Sequence, residues 1–174
     1  ELIHPENGLA TYKFEHLNYS ENFNGNRHSV LASLKLNRWN LFTNSSVLNS
    51  ESDISKSTFL RSFNRIAYSF DKQWVGVKLA AEDNEQREKL TDSLTALSQR
   101  FKSAELFYGI GDSTKVFAEI GYKHRINDSL RFNRIERVNS SNTYYIKSKI
   151  IQNKKTDQGV YVNYRNLKSV DDAI

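Results

Sequence analysis

The chain has 174 residues, 38% of them hydrophobic and 12% aromatic, with a net charge of +5, one Pro, no Cys and no Met. This composition excludes membrane-spanning helices, which need roughly 20 consecutive apolar residues. It also excludes disulfides, thiolate zinc sites and Cys nucleophiles. The Lys and Arg are scattered, and no basic block stands free of acids, so a nucleic-acid partner is not expected.

The pattern along the chain is one of strands. Glu1 to Asn7 is polar, holds Pro5 and contains no signal peptide. Ala10 to Tyr19 predicts a strand with Tyr12 and Phe14 on one face, and Asn22 to Asn26 a turn-rich break. Residues 1–27 thus form an N-terminal strand and lead-in to a meander over 28–168, and 169–174 start the next connection. In Ser29 to Asn37, Val30, Ala32, Leu34 and Leu36 share a face. Trp39 to Leu48 is a weaker strand, followed by a polar loop from Asn49 to Ser57.

Thr58 to Phe70 and Trp74 to Glu82 form a hairpin about Asp71-Lys72-Gln73. A charged loop follows over Asp83 to Lys89. Ser98 to Ile110 and Lys115 to Arg125 flank a turn at Gly111-Asp112-Ser113-Thr114. Ile126 to Ser141 reads as a long polar loop. Asn142 to Gln152 and Gly159 to Leu167 close the meander around Asn153 to Gln158. The count is about nine strands, with short turns at one end and long polar loops at the other. Leu90, Leu94, Leu97 and Phe101 recur at helical spacing, so a helix over Glu85 to Ser98 is the alternative there.

Alternation at period two assigns faces. The apolar register holds Val30, Leu34, Val75, Val77, Leu79, Leu106, Ile110, Val116, Ile120, Ile146, Ile150, Val160 and Val162. The opposite register holds Lys35, Lys78, Glu105, Glu119, Lys123, Lys147, Lys149 and Arg165. Lys or Arg facing lipid at the bilayer midplane costs roughly 2–4 kcal/mol, so a face purged of charge is what a membrane barrel demands. The second set would then line a polar lumen. Phe70, Trp74 and Tyr108 lie beside the short turns, and Tyr122, Tyr144 and Tyr164 at the opposite strand ends. Two such aromatic bands resemble the girdles of a barrel. The fold expected is all-β, an antiparallel meander forming part of an outer-membrane β-barrel. A soluble β-sandwich or jelly roll is the alternative, since it too wets one face and buries the other.

Three segments carry a resemblance: Ser141 to Lys149, Val160 to Arg165 and Gly109 to Thr114. These aromatic-terminated strands and Asp/Asn/Ser turns resemble the hairpins of large outer-membrane β-barrel proteins of Bacteroidota, over about His28 to Lys168. The resemblance implies an outer-membrane location, contact with outer-membrane lipid and protein partners in an envelope assembly. It further implies a role in transport, secretion or envelope assembly, including association with type 9 secretion machinery. The chain is then a slice of a longer protein. The sandwich alternative implies a glycan- or protein-binding module of the periplasm or cell surface, using Trp39 and Trp74 as stacking platforms.

No catalytic signature stands out. His4, His16, His28 and His124 lack metal-ligand spacing, and neither a nucleophile elbow nor a phosphate loop is present. No cofactor and no enzymatic activity are expected. Glu105 and Glu119 share a face and could form an acid/base pair, and Ser103 with His124 a hydrolytic one. Salt-bridged lumen residues explain the carboxylates more simply. Asp92-Ser93-Leu94, Asp112-Ser113-Thr114 and Asp128-Ser129-Leu130 resemble a short O-glycosylation signal, although Asp and Ser also start turns.

Overall fold

The computed structural model describes residues 2–4, 8–20, 23–95, 98–112, 116–131, 134–153 and 156–169. Among these the strands are β1 (Leu2–His4), β2 (Gly8–Ser20), β3 (Phe23–Leu36), β4 (Trp39–Ser52), β5 (Ser55–Phe70), β6 (Gln73–Glu88), β7 (Gln99–Asp112), β8 (Val116–Arg131), β9 (Arg134–Asn153) and β10 (Thr156–Ser169). They form one sheet in which every strand pairs antiparallel with its neighbours in sequence, β1 through β10 in order. The all-β meander is therefore the fold. Among the described residues it has the nine long strands expected, with the three-residue β1 added at its start, and one sheet rather than the two that a sandwich packs face to face.

The strands overrun the expected loops. Asn24 to Asn26 belong to β3 rather than to a break, and residues 8–20 pair along β3, so the N-terminal lead-in is part of the same sheet. The loop expected over Asn49 to Ser57 shrinks to Asp53 and Ile54. The charged stretch Asp83 to Glu88 continues β6. Of the long loop expected over Ile126 to Ser141, residues 126–131 are instead the end of β8 and 134–141 the start of β9, paired across a bulge at Asn127/Asp128, while 132–133 lie outside the described residues. Polarity on both faces resembles a loop in one dimension, but a ladder of backbone hydrogen bonds does not require an apolar side. Residues 113–114 and 154–155 of the two predicted turns lie outside the described residues, as do 170–174 of the predicted last connection.

At the turn end of the sheet the connections are tight. Asn37 and Asp71 adopt left-handed φ values of 53° and 52°, which Asn and Asp tolerate best among non-glycine residues. Arg38 O accepts from Ser69 N at 2.8 Å, and Lys72 O from Gly111 N at 2.7 Å, so consecutive hairpin ends are tied together.

The longest described connection, from Lys89 onward, folds back on its own hairpin. Leu94 bridges Arg87. The fully buried Ser98 accepts from Gln86 N at 2.9 Å and donates to Gln86 O at 3.1 Å. Residues 85–88 are strand and 89–91 a turn, so the helix considered for Glu85 to Ser98 does not form among the described residues. Leu94 is instead buried by this fold-back. Residues 96–97, with Leu97, lie outside the description.

Candidate functional site

Register assigns every strand residue to one of two faces. On one face the pairs run Val77↔Leu106, Leu106↔Tyr122, Tyr122↔Tyr144 and Tyr144↔Tyr164. On the other they run Lys78↔Glu105, Glu105↔Lys123, Lys123↔Thr143 and Thr143↔Arg165. All thirteen residues of the predicted apolar register fall on the first face. All eight predicted polar residues, from Lys35 to Arg165, fall on the second. From the turn end as far as the row through Leu79 and Ala104, the apolar face carries one charged residue, Asp112, at the end of β7.

Burial is inverted relative to a soluble sheet. Leu106 is 59% exposed and Ile146 57%, whereas Glu119 is 5% and Phe107 3%. Side chains on the polar face reach across an intervening strand. Trp74 of β6 meets Glu119 of β8, and Tyr145 of β9 meets Glu105 of β7. On the apolar face, Tyr108 and Gln73, Tyr122 and Asn142, Trp39 and Tyr68, and Tyr122 and Tyr144 each meet between adjacent strands.

The polar face is built around three cross-strand pairs of an aromatic ring with a glycine. Phe107 lies opposite Gly76, Trp74 opposite Gly109 and Tyr145 opposite Gly121. A Cβ added to any of these glycines would run into the ring facing it. The rings can therefore lie over bare backbone and bring polar groups close. Lys78 Nζ sits 4.7 Å from the Phe107 ring centroid and Arg65 5.0 Å, both in cation–π range. Lys78 pairs with Glu105 at 2.5 Å, and Lys147 with Glu119 at 2.7 Å. Tyr145 donates to Glu105 at 2.7 Å and approaches Glu119 at 3.1 Å, while Trp74 Nε1 donates to Glu119 at 3.2 Å.

The carboxylates Glu105 and Glu119 are thus brought together, but as acceptors in a filled network. An acid/base pair needs room for a reacting group beside its carboxyls, and here Lys and Tyr occupy it. Ser103 and His124 fall on opposite faces, so they form no hydrolytic pair. His124 instead contacts Asn142 at 2.7 Å. Asp128 and Ser129 belong to β8 and Asp92 to the fold-back, with Arg137 held against Asp128 at 2.5 Å. Residues 113–114 of the third Asp-Ser sequence lie outside the description.

Of the six predicted girdle residues, Phe70, Tyr108, Tyr122, Tyr144 and Tyr164 lie on the apolar face. Trp74 does not. It is one residue from Val75, so the pleat turns it to the polar face, where its N–H has found Glu119. The aromatic at the turn end that sequence reasoning missed is the pair Trp39 and Tyr68, directly opposite each other with ring centroids 5.0 Å apart. Parity with Phe70 identifies Tyr68, and the turn at Asn37 identifies Trp39. Tyr108 pairs with Ile120, and Tyr122 with Leu106, so the two aromatic sets occupy neighbouring rows in the frame of the sheet. Separation in depth requires the strands to tilt, as those of barrels do.

Trp39, Tyr68, Tyr108, Tyr122, Tyr144 and Tyr164 rim an apolar depression of about 850 Å³ on this face. No protein-family model and no curated protein matches the chain.

Proposed function

We propose that the chain is a wall segment of an outer-membrane β-barrel serving transport, secretion or envelope assembly, without an enzymatic role. One observation carries the reading: a broad apolar face, charged among the described residues only at Asp112 on its rim, stands exposed, while Lys and Glu crowd the opposite face. A sheet in water does the reverse. Lipid is the solvent in which this distribution is favourable, because each charge on the outward face would cost about 2–4 kcal/mol at the midplane. The strand lengths of 13 to 20 residues for β2–β10 also suit it. About 9–11 tilted residues cross the bilayer, and the excess projects beyond it as paired, polar hairpins.

The two tryptophans test this reading, because Trp39 lies on the apolar face and Trp74 on the polar one. The full chain is refolded into vesicles whose acyl chains carry bromine, a short-range quencher. The Trp74→Phe variant, which retains Trp39, is expected to lose most of its fluorescence. The Trp39→Phe variant, which retains Trp74, is expected to keep it. Equal quenching of the two would overturn the face assignment. Folding without any quenching would make the chain a soluble module whose apolar face meets another protein or a glycan.

A further inference from the structure

One row of the polar face has more cations than its carboxylates can pair. Read from β10 to β5, the directly paired residues are Arg165, Thr143, Lys123, Glu105, Lys78 and Arg65. Four cations thus share one carboxylate. Glu105 is already taken by Lys78 at 2.5 Å and by the Tyr145 hydroxyl at 2.7 Å. Arg65 lies directly opposite Lys78 and rests on the Phe107 ring. Lys123 faces Glu105 across the β7–β8 pair, yet no ion pair forms there, and Arg165 has no acidic neighbour in its row.

We infer that Lys123, Thr143 and Arg165 form a binding site for an anion of the phosphate or carboxylate class. The three residues are in register on adjacent strands, with the hydroxyl between the two cations. Strands lie about 4.8 Å apart, so the two cationic residues are roughly 10 Å apart at the backbone. Two side chains as long and flexible as Lys and Arg can span that distance to one tetrahedral or planar anion above Thr143. The arrangement supplies an ammonium, a guanidinium fork and a neutral donor, a combination suited to oxyanions. Like charges placed close together are unfavourable, and a bound anion removes that cost.

The site rests on the proposed membrane reading only for its location in a lumen and the route by which anions arrive. If that reading holds, the wall near β8–β10 passes or holds anionic solutes.

Lysine footprinting of the refolded full chain tests the inference, with inorganic phosphate as the probe. Amine acetylation at Lys123 is expected to slow several-fold in phosphate. Lys35, on the same face but across the sheet, is expected to label at an unchanged rate. Arg165→Gln, at an exposed position, and the isosteric Thr143→Val should each weaken the protection. Lys123 labelling that ignores phosphate would overturn the site, as would equal protection of Lys35. Protection of Lys123 in a chain that stays out of vesicles would keep the site and reject the membrane reading, so the two failures are distinguishable.

Discussion

The sheet contains two regions that share one hydrogen-bond ladder and differ in what they face. On the turn side of the Leu79–Ala104 row, one face is apolar and the other polar. Beyond it, charged and polar residues enter the apolar face as well, although Val30 and Leu60 still lie there. There the former apolar face carries Asp83, Glu85 and Arg100, with Arg100 bonded to Asp83 at 2.5 Å and to Glu85 at 3.2 Å. Hydroxyl and amide pairs start at the boundary row and continue past it, Thr43 to Asn64 at 2.8 Å and Ser45 to Ser62 at 2.8 Å. The backbone is equally regular in both regions, because its hydrogen bonds are satisfied between strands whatever the surroundings. The side chains record the environment. On the proposed reading, one region faces hydrocarbon and the other has water on both sides.

Arginine substitutions on the same face of both regions should give the largest contrast. Val77→Arg is expected to cost about 2–4 kcal/mol of stability in vesicles and to block insertion. Ser62→Arg, on the same face in the polar region, should stay within about 0.5 kcal/mol, and Lys78→Ala should impair assembly less than Val77→Arg does. Urea titration of the vesicle-refolded protein measures all three. Equal costs for Val77→Arg and Ser62→Arg would erase the boundary between the regions.

A smaller effect sharpens the comparison on the crowded side. Gly121→Leu forces Tyr145 off the backbone and breaks its bonds to both glutamates, at an expected cost of about 1–3 kcal/mol for overpacking. A Cβ at Gly159, on β10, would lie 3.1 Å from Ser148 O and at ordinary contact distance from Lys149, so Gly159→Leu should cost less. The same titration, read beside the tyrosine fluorescence, separates the two.

The smallest expected effect is a pH dependence at the tip of the polar region. Glu51 accepts from Lys89 at 2.7 Å. That hydrogen bond first, and the Lys89 charge next, hold its pKa below the ordinary carboxylate value. A lowered folded pKa means that the contribution is fully present above the unfolded value, roughly 4.3. It fades as pH falls through the lower folded value. The protection factor of the Lys89 amide, which donates to Ile54 O at 3.0 Å, should fall on acidification through that range once the intrinsic exchange rate is divided out. Glu51→Gln should remove the dependence, whereas an unchanged profile would detach the fold-back from the carboxylate.

Much of this was legible in the residues themselves. Alternation in Val75 to Leu79 or Val116 to Tyr122 assigns each side chain to a face before any partner is known, because the strand period is two. The same parity places Lys78 with Glu105 and Glu119 once the strands are paired. It also places Trp74 against Val75, on the polar face, so that position was readable and the girdle assignment overrode it. Local polarity misled in Asp83 to Glu88 and Ile126 to Ser141, where strands wet on both sides resemble loops.

What the sequence alone determined is therefore the strand character and the faces of the alternating segments, since both follow from the chain's own pleat. The tertiary structure decided which residues stand opposite one another. The rings of Trp74 and Tyr145 over glycines, the sharing of Tyr145 between two carboxylates and the row from Arg165 to Arg65 all depend on register. Register is set by pairing between strands and by turn geometry, neither of which a single strand's pattern contains.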